Sequence, residues 1–307
     1  MIKFCQVCLL PSEEEVHPKC SMDLYGTPIP PEAAMDQAGI ERMAIESTNQ
    51  KLSMAGVQRK LSVGALREGS RTRLTVVGAL GGTHILKPPA PEYPGMVELE
   101  HWSMRRAAMM AIEVPPCGLI RLASGEMAYV VKRFDREKDR RIPMEDLCQV
   151  AGQRVVDKYR SSAEKAGALV RRHARTPGED ALRFFDVVVF CLMDGNSDMH
   201  LKNWSLLGAP GSQILSPAYD LLPTRILVDD PEESALPING KKNRIRRLDL
   251  LELAAHLKIS NKVAMLSIDR IAQTFVGVLE LVRSPWVAPE HAARLREHAE
   301  EMAARLR

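Results

Sequence analysis

Long apolar runs are missing from this 307-residue chain. No stretch approaches the roughly 20 apolar residues that a membrane-spanning helix needs. The start, Met1-Ile2-Lys3-Phe4-Cys5, lacks an apolar core of signal-peptide length. Both absences exclude a membrane partner and lead us to expect a cytoplasmic protein. A charge excess is missing too: 42 Lys and Arg stand against 39 Asp and Glu, a net +3. Such a balance gives no support to strong direct nucleic-acid binding or to a membrane-surface role. Internal repeats and low-complexity segments are absent. So is the Walker A pattern G-x-x-x-x-G-K-[ST], which removes the P-loop nucleotide-binding proteins. What remains is an ordinary globular composition, 45% hydrophobic and 26% charged. It is spread over a length that suits two domains or two lobes. In a reducing compartment the six cysteines are expected as thiols or metal ligands.

The most informative stretch is Asp194-Gly195-Asn196-Ser197-Asp198-Met199-His200-Leu201-Lys202-Asn203. A predominantly apolar helix over 181–193 runs into it and a short apolar strand leaves it. Asp198 and Asn203 stand at D-x-x-x-x-N spacing. In a kinase catalytic loop such an Asp orients the acceptor hydroxyl and such an Asn holds magnesium. Seventeen residues after Asn203, Asp220 follows another short strand and is placed to be a second metal carboxylate. The alternative is an Asx-rich turn between helix and strand; Asp220 and the upstream features favour phosphoryl transfer.

Upstream, Cys5-x-x-Cys8 and His17-Pro18-Lys19-Cys20 place four soft ligands within sixteen residues. That spacing suits a closed Cys3His zinc site at Cys5, Cys8, His17 and Cys20, or else a small metal-free cluster. Pro28, Pro30 and Pro31 form a linker into a helix expected over 32–43. The small-residue loop 53–58, with Gly56 and Val57, either approaches phosphate through its backbone N–H groups or is a plain hairpin turn. Strands are expected over 73–77 and 83–86, the second delivering Lys87 either as a solvated edge residue or as a phosphate-binding lysine. The helix over 95–111 carries Glu98 and Glu100, and either carboxylate is a candidate partner for Lys87. Strands over 119–122 and 127–131 lead into Lys132-Arg133-Phe134, read as a hinge near a nucleotide base. Beyond Pro143 helices are expected over 144–159, 162–174, 178–193, 248–257, 262–282 and 289–307. The basic run 241–247 is either a solvated face or a contact for a phosphoacceptor protein or RNA.

Taken in order, Ser53-x-Ala55-Gly56-Val57-Gln58-x-Lys60, His84-Ile85-Leu86-Lys87-Pro88, Arg133-Phe134-Asp135-Arg136, Gly195-Asn196-Ser197-Asp198-x-His200-x-Lys202-Asn203 and Ser216-Pro217-Ala218-Tyr219-Asp220 resemble the HipA-type serine/threonine kinases. These are the toxins of bacterial toxin–antitoxin modules. The Cys/His-rich start looks like the short members of that family, in which a separate small protein supplies an extra N-terminal piece. Three positions depart from the family pattern: Ala55 where short members often carry a second serine, Lys132 where glutamate is common, and Pro143-Met144 where His-Gln is usual.

The resemblance implies an α+β, bilobal protein-kinase-like fold. Its parts would be a Cys/His-rich segment and linker (1–48), a β-rich N-lobe (49–133) and a helical C-lobe (134–307). It implies ATP and Mg2+ as cofactors, with Lys87 on the nucleotide phosphates, Asp198 as the catalytic aspartate, and Asn203 and Asp220 on magnesium. Gly56, Val57, Lys132, Arg133, Phe134 and His200 would line the nucleotide, and Ser53 would be an autophosphorylated serine. The partners implied are a protein substrate such as an aminoacyl-tRNA synthetase and a helix-turn-helix antitoxin. A pseudokinase-like binding module and a small-molecule kinase are the rival expectations. A zinc-dependent nucleic-acid binder is a more distant one, which the low net charge disfavours.

Overall fold

The computed structural model describes residues 3–33, 60–68, 71–77, 81–137, 140–228 and 230–307. The expected phosphate loop, with Ser53, Gly56 and Val57, lies outside the described residues. Two compact units make up the chain. The first takes its described residues from 1–105, 115–133 and 282–288, the second from 106–114, 134–281 and 289–307.

The first unit begins with a short antiparallel pair, β1 (Lys3–Phe4) and β2 (Pro11–Ser12), and a helix, α1 (Pro18–Tyr25). Its main sheet is antiparallel and five-stranded. It contains β3 (Leu61–Glu68), β4 (Arg71–Val76), β5 (His84–Lys87), β6 (Cys117–Arg121) and β7 (Met127–Lys132) in the order β4-β3-β5-β7-β6. β5 is an inner strand, pairing Leu86 with Leu61 on one side and Lys87 with Tyr129 on the other. Alternation along a strand sends neighbours to opposite faces. Leu86 therefore joins a core with Leu61, Val63 and Val130, covered by Val7, Leu24 and Tyr25 of the N-terminal segment. Lys87 points the other way, toward α2 (Met96–Met109). The N-terminal segment is stitched to this unit by backbone and side chain. Leu119 N–H donates to the Gln6 carbonyl at 2.8 Å, and His101 Nε2 lies 3.0 Å from the Val7 carbonyl oxygen. Burial pulls the pKa of His101 down to about 3, so the ring is neutral and Nε2–H is the donor.

The second unit is mainly helical. After a two-stranded ribbon, β8 (Arg136–Glu137) and β9 (Arg140–Arg141), come β10 (Met144–Asp146), α3 (Leu147–Val150), α4 (Ala163–His173) and α5 (Pro177–Asp194). β11 (Ser205–Leu207) and β12 (Ile214–Leu215) complete a small sheet in the order β10-β11-β12. The short α6 (Thr224–Leu227), α7 (Arg247–His256), α8 (Asn261–Leu281) and α9 (Pro289–Leu306) follow. α5 organises the unit. Pro177 opens it, Glu179 and Asp180 sit in its first turn where the helix dipole favours negative charge, and its apolar residues, Phe184, Phe185 and Phe190 among them, are buried. Gly195 ends it at φ 71°, a left-handed cap that an L side chain resists, and its N–H donates to the Cys191 carbonyl. Among the described residues no helix is long and apolar enough to cross a membrane.

Two sequence expectations need correction. Residues 144–159 are not one helix. Residues 144–146 pair with 205–207, and the Asp146–Gln149 capping box starts a helix only at Leu147. Gly152 then turns at φ 64°, and a 3-10 turn covers Val155–Asp157. The expected helix over 32–43 does not begin as one: Glu32 bridges to Arg73 and Ala33 to Leu122, and its later residues lie outside the described ones. The basic run 241–247 is mostly a solvent-exposed face, as one of the two readings has it, and three of its cations also make ion pairs. Lys241 pairs with Asp249 at 2.6 Å, Lys242 with Glu232 at 2.7 Å and Arg247 with Asp269 at 2.6 Å.

Candidate active site

The site residues are delivered in two groups, one in each unit. In the first unit, Lys87 Nζ lies 2.5 Å from Glu100 Oε1 on α2, both side chains no more than 5% exposed. Its ammonium also stands 5.4 Å from the centre of the Tyr129 ring. The choice between Glu98 and Glu100 is thereby made by helix docking: Glu100 faces the sheet and pairs, while Glu98 carries a carboxyl whose pKa burial raises. A buried ammonium paired with a carboxylate at the end of a central strand is suited to meeting phosphate oxygens. Replacing Glu100 by Gln takes from Lys87 the buried carboxylate it pairs with. We expect phosphoryl transfer to fall at least about tenfold, roughly 1.4 kcal/mol of barrier, while Glu98→Gln stays near the native rate. Steady-state kinetics on the two variants check this, and equal losses would contradict the pairing.

Lys132 Nζ is turned to the Asp23 carbonyl at 3.1 Å, and the Arg133 N–H donates to the Thr83 carbonyl at 2.9 Å. Phe134, in the second unit, lies beside the Tyr219 ring at 5.6 Å between centroids. The expected hinge segment is therefore held by its backbone, and the Lys132 ammonium is already engaged by the N-terminal segment.

In the second unit the loop after α5 sorts its acids and amides by burial. Asp194 is fully buried and ion-paired with Arg106. Asn196 is buried, and its Oδ1 accepts the Asp198 N–H at 3.0 Å. That bond fixes the backbone from which the Asp198 carboxylate projects. The Asn203 Nδ2 donates to the Asp198 carbonyl at 2.9 Å, across the 3-10 turn Leu201–Asn203. The D-x-x-x-x-N spacing is thus a physical bond: the amide N–H2 ties the loop shut and leaves the amide oxygen as a donor for a metal.

Asp198 Oδ1 accepts a hydrogen bond from the Tyr159 hydroxyl at 2.7 Å. Burial first, and the Asp198 carboxylate second, push that phenol's pKa above its ordinary value, so it stays a donor. His200, edge-on to the Tyr159 ring at 5.0 Å, is buried; burial lowers its pKa while the Asp198 and Asp220 carboxylates act in the opposite direction. Asp220 is therefore close enough to feel the loop. Its φ of 55° is left-handed, a strained setting for a non-glycine residue of the kind found at functional sites. Its neighbour Tyr219 is clamped by Ser205 Oγ at 2.6 Å and by the Lys202 carbonyl at 2.9 Å. Lys202 reaches Asp146 at 2.6 Å. The amide oxygen of Asn203 and the carboxylate of Asp220 are each hard-oxygen donors, the type that suits magnesium.

The sequence assigns no role to Tyr159 or Asp146, and Tyr219 stands only as the neighbour of Asp220 in its motif. Tyr159 fell at the end of a helix that does not form, and no local pattern pointed from it to Asp198. The four residues of the expected metal cluster are brought together in the first unit; Ser53, Gly56 and Val57 lie outside the described residues.

An antiparallel sheet carrying a buried Lys–Glu pair, followed by a helical unit with a tied Asp/Asn loop and a strained downstream aspartate, has the α+β architecture of protein-kinase-like folds. The chain belongs to the HipA-like C-terminal domain family, whose pattern matches residues 52–279. It is 31% identical, over 97% of its length and 74% of the relative's, to a Sinorhizobium fredii protein named as a kinase, Y4mE. The serine/threonine-protein kinase toxin HipA of Shewanella oneidensis is 27% identical over 75% of this chain and 57% of its own. The solved HipA of S. oneidensis MR-1, in a complex with HipB and its operator DNA, shares the fold. Its TM-score is 0.68 at 22% identity, covering 87% of this chain and 70% of that one. The Helicobacter pylori proinflammatory kinase CtkA matches with a TM-score of 0.54 at 13% identity, over 80% of this chain and 93% of its own.

Proposed function

We propose that this protein is an ATP-dependent serine/threonine protein kinase that acts as the toxin of a toxin–antitoxin module. The observation that carries the reading is the Asp198 carboxylate: it projects from a loop tied by Asn203 and already accepts a hydrogen bond from a hydroxyl group. A substrate serine or threonine would present the same group to the same oxygen. Asp198 aligns that hydroxyl and takes its proton as the oxygen attacks the γ-phosphorus and the bond to ADP breaks. Lys87, kept charged by Glu100, neutralises phosphate oxygens, and we assign Arg133 and Phe134 to the adenine. Asn203 and Asp220 are the residues that would hold magnesium, which when bound would add to the neutralisation of phosphate charge. The target class is a protein of translation such as an aminoacyl-tRNA synthetase, and the neutralising partner is an antitoxin with a helix-turn-helix. The HipB and DNA bound to the S. oneidensis relative support that partner class.

Ser53 is the proposed self-inhibiting switch. A phosphate there would add roughly −1.5 to −2 of charge to the loop that the family resemblance assigns to the ATP phosphates. Ala55 leaves one loop acceptor where relatives often have two. Incubating the chain with ATP and magnesium in a cell lysate, followed by mass spectrometry, tests the first statement, and calorimetry of ATP binding to the purified phosphorylated and Ser53→Ala forms tests the second. We expect phosphate on serine or threonine of a protein acceptor, one dominant phosphate at Ser53, and weaker ATP binding by the phosphorylated form than by Ser53→Ala. Transfer to small molecules alone would overturn the protein-kinase reading. Unchanged ATP affinity after Ser53 phosphorylation would overturn the switch.

A further inference from the structure

The N-terminal cysteines and histidine play no part in phosphoryl transfer, yet the fold gathers them. The ligand atoms of Cys5, Cys8, His17 and Cys20 all lie within 4.8 Å of one another. Cys8 Sγ stands 3.3 Å and Cys20 Sγ 4.0 Å from His17 Nδ1. Tetrahedral zinc with sulfur at about 2.3 Å and nitrogen at about 2.0 Å sets its ligands roughly 3.5–3.8 Å apart, so the cluster already stands close to the spacing of a filled site.

Local structure explains the gathering. Residues 5–8 form a turn between β1 and β2, with Leu9 left-handed at φ 62° and its N–H on the Cys5 carbonyl. That turn presents two thiols inward. His17 is the N-cap of α1 and Cys20 lies in its first turn, so the other two ligands come from one face of a helix start. The helix dipole there favours the negative charge of thiolates. The outer nitrogen of His17, Nε2, lies 3.1 Å from the Pro11 carbonyl oxygen. With the proton on Nε2, the Nδ1 lone pair faces the sulfurs; a histidine ligand to zinc is oriented by a second partner in this way. The His17 N–H donates to Cys5 Sγ at 3.4 Å, a bond that supports a thiolate. All six cysteines are free thiols.

We propose that Cys5, Cys8, His17 and Cys20 bind one zinc ion in a closed Cys3His site, and that this knuckle buttresses the helix carrying Glu100. Four protein ligands leave no open position, so the site is structural. Three thiols release their protons to solvent as the metal binds. The buttress is the Gln6-Val7 segment between the two thiols. The Val7 carbonyl receives His101, the residue after Glu100, and the Gln6 carbonyl receives the Leu119 N–H of β6. The fit is close: a Cβ at Gly118 would stand 2.9 Å from Val7 Cγ2 and 3.1 Å from the Gln6 oxygen. Only the functional meaning of the buttress rests on reading Lys87–Glu100 as the phosphate-binding pair.

The test uses full-length protein made in zinc-supplemented medium and purified under reducing conditions without chelator. Elemental analysis should give about one zinc per chain, lost in Cys8→Ser and His17→Ala. No metal, iron in place of zinc, or a disulfide among Cys5, Cys8 and Cys20 would overturn the site. Hydrogen exchange then compares stripped and zinc-reloaded protein. Segments 3–12 and 97–104 should exchange at least about tenfold faster without zinc, as local opening becomes easier. Faster exchange in 3–12 with 97–104 unchanged would overturn the buttress. Activity enters none of these readouts, so failure here stays distinct from failure of the kinase reading.

Discussion

Asp198→Asn is expected to reduce phosphoryl transfer by about 10²–10⁴-fold, the usual contribution of a positioned general base, with the fold intact. The amide keeps the size of the side chain and can still meet the Tyr159 hydroxyl, so little stability is lost from a half-buried loop position. It cannot take the acceptor proton. The backbone of residue 198 remains fixed by Asn196 and Asn203, whose bonds go to main-chain atoms and survive the substitution. An unfolding midpoint near the native value together with lost transfer is the expected combination. Transfer within a few-fold of native would remove Asp198 from the reaction.

Asp194→Ala, four residues earlier, is expected to do the opposite: it should unfold the second unit readily. Asp194 and Arg106 are an ion pair with both side chains 0% exposed. The Arg106 guanidinium also lies 5.7 Å from the centre of the Phe275 ring. Burial lowers the Arg106 pKa and the Asp194 carboxylate works against that shift. Removing the carboxylate takes from the buried guanidinium its ion-pair partner, at a cost of about 3–5 kcal/mol. A stability loss of that size in urea denaturation checks it. The double variant Arg106→Met/Asp194→Leu should recover much of the loss, because two apolar side chains need no partner. A single variant as stable as the native chain would contradict the structural role of the pair.

These neighbours show what the sequence could and could not convey. The Asp198–Asn203 relation was legible because it is local: five positions along the chain, closed by one amide bond across a 3-10 turn. The strand ending in Lys87 and the long apolar helix before the loop were legible from their patterns. Nothing in the one-dimensional pattern separates Asp194 from Asp198, since their difference arises when Asp194 meets an arginine 88 residues away. The same holds for Glu98 and Glu100, which are sorted only when the helix docks on the sheet. Residues 144–159 misled because their helical pattern competes with a partner strand, 205–207, that recruits their backbone. Tyr159 escaped notice for the same reason. The Cys/His spacing, by contrast, carried its geometry in the sequence: two pairs, each able to converge from a tight turn or a helix start.

The central claim is that this chain moves the γ-phosphate of ATP to a protein hydroxyl through Asp198. The direct measurement is transfer of γ-labelled phosphate from ATP, with magnesium, to protein by the native chain and by Asp198→Asn side by side. Label on serine or threonine with the native chain, and none above background with the variant, is the expected result. Equal labelling by both, or no labelling by the native chain in any protein, would contradict it.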